Sequence, residues 1–340
     1  MTNKLIGKLV FLLLIEVAFG QRLKSSNSFI SKKSQLQQDF QKFKKTYSKS
    51  YDSHEHESYR FNVFIENLKE SERLNKEIPS AKFGVTKFSD YTKEEFQSIY
   101  FKNDILSNIE TFDSYLQNTS SSDSQVEVEQ SLPDKWDIRI NGPGKMQPVE
   151  DQGHCGSCWA FAITSTVENL YSSKKKQNLN FSEQQLIDCF NSDLHGCDGG
   201  FFTLGYDYVQ KTGLTTIDKY PYIGQYDDCH EKSAGQLYKI NGYVHLPDKA
   251  NALKRALVQN GAIAVAVDSR FWQNYQNGII TDSNLGWNAS LKAATLIGYG
   301  RNYWLIRNTW GSDWGEDGHI RVTNQSYGTM FLEYSYQPYL

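Results

Sequence analysis

Net charge is almost absent from this chain: its 340 residues hold 36 Lys and Arg against 39 Asp and Glu, leaving −3 at neutral pH. That balance gives no reason to expect nucleic acid or an anionic surface as a partner. Long apolar runs are missing too. Past the first twenty residues nothing approaches the roughly 20 apolar residues that span a bilayer. Cysteine is absent from the first 154 residues; Cys155, Cys158, Cys189, Cys197 and Cys229 all stand beyond them. An odd count leaves one thiol over, and a free reactive thiol is one standard explanation. Cys155-x-x-Cys158 could be a redox pair or half of a zinc site, but no second C-x-x-C follows and no βαβ pattern precedes it. Internal repeats are absent as well, and no metal or cofactor is expected.

The N-terminus does carry an apolar stretch. Residues 1–20 combine Lys4 and Lys8, the run Leu9 to Ile15, and small residues Ala18 and Gly20, the pattern of a cleaved secretory signal. Leu36, Phe40, Phe43 and Tyr47 then recur at helical spacing, and Arg60, Phe64, Asn67, Ser71 and Asn75 form the stripe of a second helix. Thr92-x-x-Glu95 is a capping box opening a short helix. From Asn103 to Ser131 serine, asparagine and acidic residues dominate, too polar to offset ordering entropy, so this stretch reads as an exposed linker and processing region. Beyond the linker, Cys158 to about Tyr171 reads as a long helix, Ser182-x-x-Gln185 caps another ending near Cys189, and 262–267, 294–299 and 303–307 read as strands.

Gln152-Gly153-His154-Cys155-Gly156-Ser157-Cys158-Trp159-Ala160-Phe161 places a cysteine where a glycine-rich loop enters a helix. The positive end of a helix favours the thiolate, which is the nucleophilic form. Downstream stands Asn308-Thr309-Trp310-Gly311-Ser312-Asp313-Trp314-Gly315-Glu316, with Asn308 at 308 − 158 = 150 residues after Cys158. C-G-S-C-W followed at that distance by N-x-W-G-x-x-W-G-E resembles the papain-like cysteine peptidases of the cathepsin L type. Upstream, the stripe Arg60 to Asn75 resembles the family's E-R-F-N-I-N propeptide pattern, with His56 where glutamate is usual and Ser71 where isoleucine is usual. Gly84-x-Thr86-x-Phe88-x-Asp90 resembles its G-x-N-x-F-x-D segment, and Leu132-Pro133-Asp134 its mature N-terminus.

The resemblance implies an α+β, two-lobed papain-like fold, with a helical lobe and a β-barrel-like lobe flanking a cleft, preceded by a helical propeptide. The implied organisation is a signal over 1–20, an inhibitory propeptide over 21–102, a linker over 103–131 and a peptidase domain over 132–340. It also implies disulfides Cys155–Cys197 and Cys189–Cys229, with Cys158 as the free nucleophile. Gln152 would be an oxyanion-hole donor and Asn308 would orient the catalytic histidine under Trp310. Gly199, Gly200, Trp310 and Ala266, the last on the wall of the second pocket, would line the substrate cleft. A third bridge common in the family has no counterpart, since Gly286 and Tyr327 stand near the expected places.

One family residue is missing. The histidine should lie six residues before the first glycine of Gly298-Tyr299-Gly300, where Lys292 stands. The histidines of the segment 132–340, His154, His195, His230, His245 and His319, fit loop or edge positions. Imidazole titrates near 6.5 and can both take and give a proton at working pH, whereas a lysine ammonium with a reference pKa near 10.4 stabilises a thiolate but is a reluctant donor. Two functional classes stay open: a cysteine-type endopeptidase made as a secretory zymogen with impaired or atypical catalysis, or a peptidase-fold protein that binds peptides or inhibitors without turnover. Expected partners are a peptide or protein substrate and the chain's own propeptide in the cleft, on a monomer without a membrane anchor once the signal is cleaved. The expected route is secretory, ending in a lysosome-like compartment or outside the cell. Sequons at Asn118, Asn180, Asn288 and Asn324 permit glycosylation on that route.

Overall fold

The fold is that of a computed structural model describing residues 33–100, 131–190, 196–230, 235–281, 291–325 and 330–340, the last stretch with side chains from 334. The signal-like residues 1–20, nearly all of the linker, His195, the sequons at Asn118 and Asn288, and the places of the absent third bridge lie outside these. The chain divides into two compact units, Met1–Asn67 and Leu68–Leu340.

In the first unit, helix α1 (33–46) carries Phe40 and Phe43, which pack on Phe64 of α2 (His54–Glu77) with ring centroids 5.4 and 5.2 Å apart. His56, standing where a glutamate was expected, receives a hydrogen bond from Arg60 Nε at 3.2 Å, one turn further along α2.

The second unit opens with the end of α2, β1 (Ala81–Phe83) and α3 (Lys93–Tyr100). The capping box is made reciprocally: Thr92 N–H donates to Glu95 Oε2 at 2.8 Å and Glu95 N–H to Thr92 Oγ1 at 3.1 Å. Then come β2 (Trp136–Asp137), α4 (Ile138–Asn141), α5 (Cys158–Lys174), α6 (Glu183–Cys189) and α7 (Phe202–Lys211). The rest is β3 (Gly242–His245), α8 (Ala250–Gln259), β4 (Ile263–Asp268), β5 (Tyr275–Ile280), β6 (Leu291–Tyr299), β7 (Tyr303–Arg307), β8 (His319–Thr323) and β9 (Met330–Tyr339). The described strands join in the order β1-β5-β8-β7-β6-β4-β9-β3, with β2 on β6, and only β5–β8 is parallel.

Two apolar cores result, one for each lobe of an α+β fold. Trp159, Ile163, Val167 and Leu170 of α5 pack with Leu186, Ile187 and Tyr206 in the helical lobe. Leu257, Val265, Leu296, Ile306, Ile320 and the tryptophans Trp272, Trp310 and Trp314 fill the strand-rich one. Helix α5 is buried from Cys158 through Ser173, so its polar groups must find partners inside. Thr164 donates to Glu183 Oε1 at 2.6 Å and Asn169 Oδ1 accepts from Ala262 N–H at 2.9 Å. The helix runs three residues beyond the expected Tyr171. Strand β6 begins at Leu291 rather than 294, so Lys292 lies within a strand whose nine residues are all buried.

Candidate active site

Cys158 is the first residue of α5 and the one free cysteine among the described residues, with 8% of its surface exposed. The loop before it is fixed to the turn at 196–198. Disulfide Cys155–Cys197 joins the two, Gly156 N–H donates to Cys197 O at 2.8 Å, and a Cβ on Gly156 would lie 2.5 Å from that oxygen. A second bridge joins Cys189 to Cys229. Ser157, at the N-cap, makes no capping bond; its Oγ pairs with Tyr222 Oη at 2.8 Å. Tyr222 spends its single proton on Gln152 O at 2.7 Å, so Ser157 is the donor of that pair. The positive end of the α5 dipole is thereby directed at the thiol rather than met by a side-chain cap.

Lys292 enters from β6. It is fully buried, and its Nζ donates to Gln152 Oε1 at 2.8 Å and to Thr309 Oγ1 at 3.0 Å while lying 4.7 Å from the centre of the Trp310 ring. Burial pulls its pKa down to about 8, against the opposing pull of Cys158 and Asp151. An ammonium can only donate, which fixes the Gln152 amide with its oxygen toward Lys292 and its Nε2 toward Cys155 O, 2.7 Å away. Gln152, expected as an oxyanion-hole donor, therefore commits one amide hydrogen to the Cys155 carbonyl and its oxygen to Lys292 and Thr309.

Asn308 differs more from expectation. Its backbone N–H donates to Gly318 O at 3.0 Å, but both side-chain atoms, Nδ2 and Oδ1, are buried without a partner among the described residues. Lys292, at the position where the resemblance implies a histidine, is bonded instead to Gln152 and Thr309. Beside it is a small cavity, with room for about one water, lined also by Ser165, Glu168, Glu183, Arg307 and Thr309. Ser165 Oγ and Glu183 Oε2 are likewise unpartnered. Burial pushes the Glu168 carboxyl up to about 8 and, with Glu150 and Glu168 nearby, holds Glu183 well above the usual carboxylate range.

Trp310 is fully buried rather than lining an open cleft. Phe88, Phe96 and Tyr100 lie with ring centroids 5.2 Å from it, and Trp314 at 4.9 Å stands edge-on to it. Around this aromatic cap, Lys87 pairs with Asp151 and Asp313, Tyr91 Oη lies 3.2 Å from His154 Nε2, and Gln273 Nε2 donates to Phe88 O and Tyr91 O. His154 is thus spoken for by Tyr91. Gly199 has a φ of +118°, and Gly200 is a glycine because Trp159 leaves no room for a Cβ, whose nearest ring atom would be 2.4 Å away. Ala266 is buried opposite Ala293 in the β4–β6 ladder. His319 opens β8, buried beside Arg139 and two backbone carbonyls, with its pKa lowered to about 4 mainly by burial.

Sequence reasoning gave Phe88 only a place in a propeptide motif and singled out neither Thr309, nor Phe96 and Tyr100 as packing on Trp310, nor the glutamates behind Asn308. Thr309 could have been found by its place between Asn308 and Trp310. Among the described residues no group of three His, Cys, Asp or Glu side chains is arranged to hold a metal ion.

Comparison with known proteins places these features in context. The profile of the papain family cysteine proteases matches residues 132–336, and that of the cathepsin propeptide inhibitor domain (I29) matches residues 40–96. A viral cathepsin from Adoxophyes honmai nucleopolyhedrovirus is 37% identical over 295 residues, covering 83% of this chain and 85% of its own. A cathepsin L-like proteinase from Phaedon cochleariae is 34% identical, covering 82% of this chain and 86% of its own. The solved structure of digestive procathepsin L 3 from the Tenebrio molitor larval midgut superposes with a TM-score of 0.77 at 30% identity, covering 90% of this chain and 99% of that one.

Proposed function

Because the chain belongs to the papain family of cysteine proteases and carries the cathepsin-type propeptide domain, we propose that it is a secretory zymogen whose Cys158 thiolate attacks peptide bonds and whose turnover is limited by Lys292. The observation that carries this reading is the buried Lys292 ammonium, bonded to Gln152 and Thr309 in the place of the histidine. In the acylation half-reaction the thiolate adds to the carbonyl carbon. The C–N bond then breaks as the departing nitrogen takes a proton from the ammonium, leaving a thioester, a free amine and a neutral Lys292. In the second half a neutral lysine must take a proton from water as the oxygen adds to the thioester and the C–S bond breaks. With its pKa near 8, Lys292 is mostly charged at neutral pH and almost wholly charged in an acidic compartment. The acid form is therefore present for the first half, while the base form that the second half needs is scarce. Slow deacylation is the consequence.

A second reading, peptide or inhibitor binding without turnover, is favoured by one feature: Lys292 spends its hydrogen bonds on Gln152 and Thr309, and none runs to Cys158. In acid the two readings converge on a protein that captures one acyl group and holds it. The secretory route is supported by the signal-like residues 1–20 and by two disulfides, which persist in oxidising compartments. The propeptide role of residues 21–102 is supported by the packing of Phe88, Phe96 and Tyr100 on Trp310, and processing is proposed within 103–131. The deciding experiment measures hydrolysis of a broad peptide substrate by the acid-processed protein beside Cys158→Ala and Lys292→His. Fast turnover that Lys292→His abolishes would overturn the limiting role of the lysine and establish a true Cys–Lys enzyme.

A further inference from the structure

We infer that Thr309 is the positioning residue of this site, holding the Lys292 ammonium against Gln152 so that two of its hydrogens are fixed and a single proton is left to exchange. The inference rests on the reading that Lys292 stands in for the histidine. Its basis is the count of donors and acceptors. Lys292 can only donate, so Thr309 Oγ1 accepts from it at 3.0 Å, and the one hydroxyl hydrogen of Thr309 goes to Gln152 Oε1. Gln152 Oε1 also accepts from Lys292 at 2.8 Å, which closes a ring of three hydrogen bonds.

The ring is held from outside. Gln152 N–H donates to Thr309 O at 2.9 Å, its Nε2 is anchored on Cys155 O, and the neighbouring residues Asp151 and Trp310 form an antiparallel bridge. Gln152 and Lys292 are fully buried and Thr309 is 5% exposed, so water does not compete for these bonds. When Lys292 loses a proton, the neutral amine still has two N–H groups and can keep both bonds. The proton lost is then the third one, and Thr309 determines which that is. The groups that bear on this proton are Cys158 and Asp151, both favouring the charged form, together with the Trp310 ring; Asp151 is itself shared with Lys87.

The test reads the lysine directly in the full-length chain, with no need for processing or turnover. Carbon-13-labelled lysine is introduced, the Lys292 signal is assigned by its loss in Lys292→Arg, and its shift is followed against pH by NMR. The wild type should titrate near 8. Thr309→Val, alike in shape but without an acceptor, removes a bond that the charged form values more than the neutral one, so the midpoint should fall by about one pH unit, a tenfold change. Thr309→Ser should restore it. A Thr309→Val midpoint equal to wild type, or one shifted equally in Thr309→Ser, overturns the inference. A merely structural role would lower thermal stability without moving this midpoint. Should Thr309→Val not fold, the wild type decides: the ring requires a Thr309 hydroxyl proton slow enough in exchange to give its own resonance, and one that exchanges freely with bulk water overturns the assignment. If the midpoint moves as expected while the processed protein shows no Cys158-dependent hydrolysis, the catalytic reading fails and the positioning stands.

Discussion

The thiol side and the lysine side of this site differ in how completely their polar groups are satisfied. On the thiol side the polar groups of the loop before Cys158 are paired in sequence: Ser157 meets Tyr222, Tyr222 meets Gln152, and Gly156 meets Cys197 across the disulfide. On the lysine side, Lys292 is well bonded, but among the described residues the buried Asn308 amide and Trp310 Nε1 have no partner. A buried ammonium takes the acceptors that lie near it, here Gln152 and Thr309, and leaves the neighbouring Asn308 amide without a bond among the described residues.

The largest effect expected from this comparison is on turnover. Lys292→His should raise peptide hydrolysis by the acid-processed protein by roughly 10² to 10⁴, the usual range for general acid–base catalysis. In that background Asn308→Ala should lower it again, whereas in the wild type Asn308→Ala should leave it unchanged, since the amide bonds to none of the described residues. Measuring kcat/KM for the four proteins gives the coupling; equal losses in both backgrounds would mean that Asn308 already serves the lysine.

Stability comes next. Lys292 has its pKa lowered from 10.5 to about 8 by burial, so the unfolded chain binds this proton more tightly than the folded one. Between those values stability from this group increases as pH rises; below about 8 the penalty is fully present, and above about 10.5 it is gone. Lys292→Met, which leaves Thr309 and Gln152 bonded to each other, should therefore stabilise the chain by roughly 2 kcal/mol at pH 7 and by clearly less at pH 10. Urea unfolding of both proteins at the two pH values checks the sign. A Met variant less stable at pH 7 would show that the two hydrogen bonds and the Trp310 ring outweigh desolvation.

These expectations lean on parts of the molecule that were legible to different degrees in the sequence. The cysteine-rich loop before α5, the capping box at Thr92, the N-cap at Ser182 and the propeptide-like and peptidase-like segments could be read because each is a local pattern of residue types at fixed spacing. Strand β6 was read three residues short because a lysine interrupts its apolar run, and only the fold shows that this lysine is buried in mid-sheet. Helix α8 went unnoticed although Leu253, Ala256 and Leu257 mark one face of it. The ring of Lys292, Gln152 and Thr309 joins residues 140 and 157 positions from Gln152 in sequence, a distance over which no periodicity speaks. The loss of a partner at Asn308 could be suspected from Lys292 alone, but where the lysine finds its acceptors could not.

The two half-reactions should respond differently to pH. In single-turnover experiments on the processed protein, release of the first product should be fast near neutrality, whereas hydrolysis of the thioester should follow the neutral fraction of Lys292. Deacylation should then climb about tenfold per unit from pH 6 to 7 and level off above about 8. A burst of first product followed by a slow steady state is the expected trace at pH 6. Deacylation that is flat over this range would remove Lys292 from the second half-reaction.

The smallest expected effect probes the comparison most directly, because it removes polar atoms from one buried side chain on each side and predicts destabilisation on the thiol side only. Tyr222→Phe removes one hydroxyl from the thiol side and leaves Gln152 O without its 2.7 Å donor and Ser157 Oγ without its acceptor. Stranding groups that were paired should cost about 1 kcal/mol. Asn308→Leu on the lysine side removes an amide whose two polar atoms already lack protein partners, and puts an apolar side chain of similar size among Phe161, Thr309 and the buried wall of the small cavity. No bond to the described protein is lost, so the change should be neutral or stabilising by up to about 1 kcal/mol, because the desolvation cost of an unmade hydrogen bond is relieved. Chemical unfolding at pH 7 gives both values on one scale. Equal destabilisation by the two changes would mean that Asn308 is bonded after all, through a water in the cavity it shares with Ser165 and Glu183, and the two sides of the site would then be equally complete.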